Sequence, residues 1–431
     1  MVDDREALRA TSQRSRSANS YDIKNSLAMH HGTRFILEYM RPFVLTINPV
    51  SARCTCACDY CHYEHVLDLY PSGRFQRQMS LATAEHLIAR FLEQGMQQVS
   101  VRFSGGEPLL AGQEFFENTG AMIRAYKREG QIVSISVETN GVLLDILWAS
   151  FLRAADAHVG VSLDGPRELH DHHRKTPAGK GTFDQVMDGI AALKQVGTDF
   201  HINAALTPFS AEKIEESWRF FREQGFVAVN YRPCVGDSPD ASAALTSAHY
   251  GAALRTLFDL WLDDGYSHVS VGMFDDILAW MLDGTPRSCA FQDECDNGLL
   301  VEYNGDVYPC EFAVVPEWRI GNVNAMDFEA IMHSAVRRRF AEIKRLAAPE
   351  CGKCRYRGFC RKDCSRYRFF AAEPMGAVSC MCPGFKEFLD YAWDRFAGLR
   401  DEILARRKTM VRQYEVVTAP RPSSTKIPAV K

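Results

Sequence analysis

The sequence predicts an α/β chain: a partial (β/α)6 barrel followed by a smaller cysteine-rich domain. Three observations carry this. Six apolar, β-rich runs alternate with amphipathic helical stretches between about residues 43 and 233. Most of the 14 cysteines gather in three groups, and two of these groups fall after residue 288. Finally, 431 residues with 46% apolar content suffice for one large core and a smaller attached unit.

Residues 1–40 read as a polar lead-in without the apolar core of a signal peptide. The barrel is expected over 41–240. Its strands are "FVLTINP" (43–49), "QVSVRFSG" (98–105), "IVSISVETNG" (132–141), "HVGVSLDG" (158–165), "DFHINAALT" (199–207) and "FVAVNYRP" (226–233). They read as nearly continuous apolar runs, as buried parallel strands do. The intervening "SLATAEHLIARFLEQG" opens on a candidate N-cap, Ser80. "TFDQVMDGIAALKQVG" offers a capping box from Thr182 to Gln185, and both stretches stop at glycine, Gly95 and Gly197. Right-handed crossovers between such units curl the strands into a barrel whose active-site rim is the strands' C-terminal end. "SGGEP", "ETNG" and "SLDG" all fall on that rim. A helical linker is expected over 241–285, the cysteine-rich domain over 286–395, and a helix end with a Pro/Ser-rich tail over 396–431.

The balance of 50 basic and 54 acidic residues, net −4, gives no reason to expect nucleic acid as a partner. No apolar run approaches the roughly 18 residues of a membrane span. A cytoplasmic, reducing location is the expectation, and there clustered cysteines point to metal rather than disulfides. Cys54, Cys58 and Cys61 form C-x3-C-x2-C. Three thiolates on one short loop suit a cubane iron–sulfur cluster with one iron open. Zinc with His62 or His65 as fourth ligand is the alternative. Cys289, Cys295 and Cys310, then Cys351, Cys354, Cys360 and Cys364 (C-x2-C-x5-C-x3-C) and a terminal cysteine supply eight thiolates. They are enough for two fully ligated [4Fe–4S] clusters, or for a zinc ribbon with ligands to spare.

The triplet, with Tyr60 before its last cysteine, "SGGEP" (104–108) after the next strand and "VGVSLDGP" after the fourth, resembles the radical SAM superfamily. That resemblance implies a TIM-like radical SAM barrel whose cluster at Cys54, Cys58 and Cys61 binds S-adenosylmethionine. The backbone at Tyr60 would face the adenine, and Gly105, Gly106 and Glu107 would hold the methionine amino group. Ser162 and Asp164 would serve the ribose and methionyl groups, with Arg174 on the methionine carboxylate. Asn140 would lie near the cofactor, and Leu206 would line the adenine pocket or the barrel core. Cys56 occupies a position usually apolar in the family, so a buried, bystander thiol is expected there.

The later cysteines resemble a SPASM domain. By position, Cys289, Cys295, Cys310 and Cys364 would hold the inner auxiliary cluster and Cys351, Cys354, Cys360 and Cys382 the outer one. Cys382 is preferred to Cys380 because "C-x-G-F-K" follows it. Within this group the chain most resembles the anaerobic sulfatase-maturating enzymes over about residues 43–395. The shared stretches include "INPVSARC", "VETNGVLL" and "VGVSLDGPRELHDHHRKTPAGKGTFDQVMDGI". Such enzymes oxidise a cysteine or serine side chain of a sulfatase to formylglycine, with three [4Fe–4S] clusters, S-adenosylmethionine and a flavodoxin- or ferredoxin-type electron donor. Glu311 stands where they usually place an aspartate base, and its extra methylene shifts the carboxylate by about 1 Å, enough to matter for a positioned base. "RFSGGEP" also departs from the usual residues before the glycines. Other peptide maturases (crosslinking or epimerising), small-molecule oxidases or epimerases and a non-catalytic metal-binding scaffold are the alternatives. With some 40 residues before the first strand, a fused leader-recognition domain is not expected at that end.

Overall fold

The structure, a computed structural model, describes residues 42–70, 78–235, 241–346, 348–369 and 378–418. The expected lead-in and tail lie outside them. Six parallel strands follow one another in space as in sequence: β1 (Phe43–Asn48), β2 (Gln98–Phe103), β3 (Ile132–Thr139), β4 (Ala157–Ser162), β5 (Phe200–Leu206) and β6 (Ala228–Pro233). The sheet does not stop at six. β7 (Ser270–Val271) adds to β6, within the stretch expected as a purely helical linker. On the other side β8 (Gly298–Glu302), from the cysteine-rich region, pairs in parallel with β1, placing Asn48 beside Glu302. β9 (Asp306–Tyr308) and β10 (Gly321–Asn322) extend that edge antiparallel. The cysteine-rich region is thus built partly on the barrel's own sheet.

Each strand has one apolar and one polar face. In β2, Val99, Val101 and Phe103 are buried outward under the helices, whereas Gln98, Ser100 and Arg102 are half-buried on the other face. The same alternation puts Ser136 and Glu138, His158 and Ser162, and His201 and Asn203 on the concave side. Runs that look apolar throughout therefore enclose a polar-lined interior.

The helix Leu81–Leu92 starts as its sequence predicts, with the Ser80 side chain accepting from Thr83 N. Helix Phe183–Val196 does not carry the expected capping box. Thr182 Oγ1 donates to Arg174 O and meets His170 Nε2, because the loop before the helix claims it. Gly197 ends that helix at φ 75°, in the left-handed region glycine tolerates.

A second core joins the barrel to the C-terminal half. Helix Ser247–Asp263 packs on the long helix Cys382–Thr418, where Gly251 and Gly384 bring backbone against backbone. Phe258, Trp261, Phe274, Phe388 and Phe396 fill the space beside them. Cys382 opens the long helix, three residues before Phe385 of this core.

Candidate active site

Cys54, Cys58 and Cys61 occupy the loop after β1. The glycine pair of "SGGEP" presses on this loop directly. A Cβ at Gly106 would lie 2.2 Å from Arg53 O, and one at Gly105 2.8 Å from Ser51 O. Gly106 N bonds Ser51 O at 2.7 Å and Glu107 N bonds Arg53 O at 2.9 Å. The glycines therefore admit the cysteine loop's own backbone, and these two amides donate to it.

Glu107 ties two turns of the rim together. It is wholly buried, accepting from Leu109 N, Thr139 Oγ1 and Asn140 N at 2.8–3.0 Å. Its carboxylate ties the "SGGEP" turn to the "ETNG" turn, and burial pushes its pKa up to about 8. Asn140, held by that tie, directs Nδ2 to Thr55 Oγ1 at 2.9 Å and to Cys54 Sγ at 3.3 Å. A donor to a thiolate is one of the protein's means of tuning a bound iron–sulfur group.

Asp164 and Arg174 find each other. Arg174 donates from Nε and Nη2 to the two Asp164 oxygens at 2.9 and 3.1 Å. Tyr60 OH adds a bond at 2.6 Å and Ala205 N one at 2.8 Å. Burial raises the Asp164 pKa, but the Arg174 charge and these bonds outweigh it and hold the carboxyl below its ordinary range. Arg174 thus forms a bidentate fork with Asp164, which also fixes Tyr60 within the cysteine loop. Ser162 lies half-buried on the inner face opposite Asn203. Leu206 is 1% exposed and belongs to the second hydrophobic core, so its side chain does not line the cleft.

Cys56 is half-buried, not the enclosed small hydrophobe expected, and its thiol lies alongside Cys54 and Cys58. Its hydrogen bond leads the causes that bring Cys54 down to about 6. His62 packs between Tyr63 and Phe312, and His65 Nε2 meets Val314 O at 3.1 Å. Both histidines thus face the turn after Cys310. Tyr63 is buried against Asn48 and Glu302.

The later cysteines form two sets. Cys351, Cys354, Cys360 and Cys382 line one cavity with Lys362, Asp363 and Phe385, and Cys380 is not among its lining residues. Cys289, Cys295, Cys310 and Cys364 are electrostatic neighbours, and Cys295 Sγ lies 3.2 Å from Ser365 Oγ. Thiols in two groups of four, one enclosing a cavity, fit [4Fe–4S] groups, which take one thiolate per iron at separated corners. Among the described residues no three His, Cys, Asp or Glu side chains converge on a single ion.

Glu311 sits in the turn that follows Cys310 and points into the barrel, Oε1 3.9 Å from Arg102 Nη1. Sequence reasoning did not select Arg102 for the site. Its signal was the polar residue in every second position of "QVSVRF". Glu138, bonded to Asn203 Nδ2 at 2.7 Å, also faces Arg102 and went unselected. The missing Cβ of Gly160 makes room for that bridge, since a methyl there would meet Glu138 Oε2 at 2.1 Å.

A barrel bearing three cysteines on the loop after its first strand, with eight more cysteines grouped beyond it, defines a class, and the comparisons agree. The Radical SAM superfamily model matches residues 48–221, and that of the SPASM iron-sulfur cluster-binding domain matches 289–355. This is a radical SAM enzyme with an auxiliary-cluster domain. The chain is 31% identical to a cysteine-type anaerobic sulfatase-maturating enzyme of Clostridium perfringens, over 84% of this chain and 100% of the relative. It is 28% identical to a serine-type enzyme of Bacteroides thetaiotaomicron, over 85% of this chain and 93% of that one. The solved structure of anSMEcpe with bound AdoMet superposes with a TM-score of 0.78 at 30% identity, covering 84% of this chain and 100% of that one. The chain belongs to the family of the anaerobic sulfatase-maturating enzymes. Its cofactors are [4Fe–4S] clusters and S-adenosylmethionine.

Proposed function

We propose that this enzyme oxidises a cysteine or serine side chain of a sulfatase to formylglycine. The observation that carries the reading is similarity over 84–85% of the chain to enzymes of both types, together with a carboxylate, Glu311, presented inside the barrel between the two cysteine regions. A related structure was solved with AdoMet and a peptide, Cp18Cys, which supports a peptide or protein substrate. A flavodoxin- or ferredoxin-type protein would supply electrons.

In this reading Cys54, Cys58 and Cys61 hold the cluster that binds S-adenosylmethionine, with Tyr60, Asn140, Ser162 and the Asp164–Arg174 pair shaping its surroundings. Gly105, Gly106 and Glu107 act by fixing the loop that carries those cysteines. Cys289, Cys295, Cys310 and Cys364 hold the inner auxiliary cluster; Cys351, Cys354, Cys360 and Cys382 hold the outer. Together the bound groups supply a 5′-deoxyadenosyl radical for removing a hydrogen atom and an exit for one electron. The chain's own task is to place the substrate Cβ, keep water out and take a proton from the substrate heteroatom at Glu311 Oε1 or Oε2. Arg102 holds that carboxylate in place from the opposite wall.

The test is anaerobic incubation with S-adenosylmethionine, dithionite and peptides bearing C-x-P-x-R or S-x-P-x-R, read by mass spectrometry. Serine should lose two hydrogens. Cysteine should lose two and then exchange sulfur for oxygen. Unmodified peptides alongside 5′-deoxyadenosine production would refute the substrate while leaving the enzyme class intact.

A further inference from the structure

Among the described residues, Lys344 is the lysine with no solvent exposure at all. It follows helix Ala335–Glu342, and its Nζ donates to Ala290 O at 2.6 Å and Gln292 O at 2.7 Å. Both carbonyls belong to the segment between Cys289 and Cys295. Cys295 N in turn donates to Ala341 O at 3.2 Å, so this segment and the Lys344 region are bonded in both directions. On its other side, Lys344 O accepts from Lys362 Nζ, within the loop that joins Cys360 to Cys364. Lys344 is therefore clamped between the two cysteine sets.

That connecting loop is itself constrained. Arg361, Lys362 and Asp363 have φ values of 44°, 74° and 61°, three consecutive non-glycine residues in the left-handed region. Such a conformation is strained for residues with a side chain, so it persists only where the ends are pinned. Asp363 caps Cys364 N at 2.7 Å and takes a bond from Ser379 Oγ at 3.0 Å.

An ammonium group buried against carbonyls alone is costly to desolvate. No carboxylate among the described residues forms an ion pair with Lys344 within 4.0 Å. The acidic groups that feel its charge are Cys295, then Cys360 and Asp363. The two carbonyls that it bonds lie between Cys289 and Cys295, which places its charge beside the inner set. Arg368, also buried, reaches both sets: its Nη2 donates to Ser365 Oγ at 3.3 Å, the hydroxyl that Cys295 Sγ meets at 3.2 Å, and its charge also acts on Cys351.

We propose that Lys344 is the internal counter-ion of the inner auxiliary cluster and raises that cluster's reduction potential above the value its four cysteines alone would give. Reduction adds one negative charge to an already negative cluster, and a fixed buried cation favours the more negative state. The inner cluster is thereby made the better electron acceptor, on the side facing Glu311. This inference rests on the ligand assignment under Proposed function.

The test is an EPR-monitored redox titration of the reconstituted holoenzyme, with iron content measured in the same samples. Lys344→Gln keeps donors for both carbonyls and removes the charge; Lys344→Met removes both. The inner cluster should titrate at a lower potential in both variants, with a smaller shift for the outer cluster. An unmoved inner potential in Lys344→Gln at full iron content overturns the proposal. Should neither variant load the inner cluster, Lys344→Arg decides: loading restored by the second cation supports a counter-ion, and loss in all three assigns Lys344 to packing and overturns it. Wild-type enzyme lacking eight auxiliary cysteine-bound irons would instead refute the ligand assignment.

Discussion

At the scale of single residues, much of the site consists of groups that hold other groups in place. Asp164 shows this: expected to meet a ligand, it collects Arg174, Tyr60 and Ala205 N. Arg174→Met would strand a buried carboxylate and should lower stability by about 3–5 kcal/mol, checked by denaturant unfolding. The pH dependence follows from the sign of the shift. The folded-state pKa of Asp164 lies below its unfolded value of about 4, so the pair's stabilisation is present above that pH and lost as pH falls through the lowered folded value. The difference between wild type and variant should accordingly shrink in strong acid. For Glu311→Gln, peptide oxidation should fall by about 10²-fold or more while 5′-deoxyadenosine still forms, because the proton acceptor is lost and the radical source is untouched. Equal loss of both products would show that Glu311 supports the fold or the cofactor instead. Cys54, Cys58, Cys61 and the eight later ligand candidates were legible as residues because thiolate spacing is local information. Arg102, Glu138 and Lys344 were not, since their meaning comes from residues 52 to more than 200 positions away.

The strands and helices were largely readable from pattern, and the misses share one cause. Six strands fall where the apolar runs lie, yet the polar lining of the barrel was hidden within them, since "VSVRF" looks apolar until its alternate positions are separated by the sheet. Thr182 fails as a cap because a neighbouring loop outbids the helix for its hydroxyl. Strands β7 and β8 are too short to stand out alone and form only because β6 and β1 offer open edges. Close helix contact makes a sharper prediction. A methyl on Gly384 would lie 1.7 Å from Ser247 O, so Gly384→Ala must part the long helix from helix Ser247–Asp263. It should cost about 1–3 kcal/mol and, two residues from Cys382, should diminish the outer cluster. A lowered melting temperature together with iron lost from that cluster is the expected result; an unchanged enzyme would show that the two helices slide freely.

For the whole molecule, one sheet carries both the radical-generating loop and the first part of the cysteine-rich region, so the two chemistries share a rigid frame. Asn48 and Glu302, neighbours on β1 and β8, are bonded to each other and to Tyr63 next to Cys61. Reconstituted enzyme should bind about twelve irons, four per cluster. Cys58→Ala should lose about a third of them and all 5′-deoxyadenosine formation. Cys56→Ala should retain the iron, with an altered signal from the first cluster because its thiol neighbours Cys54 and Cys58; loss of the cluster would make Cys56 a ligand. The account's central claim is that the barrel delivers a radical to the Cβ of a peptide side chain held near Glu311. It is tested most directly by incubating the holoenzyme with a C-x-P-x-R or S-x-P-x-R peptide deuterated at that carbon. Deuterium should appear in 5′-deoxyadenosine in step with oxidised peptide, whereas 5′-deoxyadenosine formed without deuterium beside unchanged peptide would contradict it.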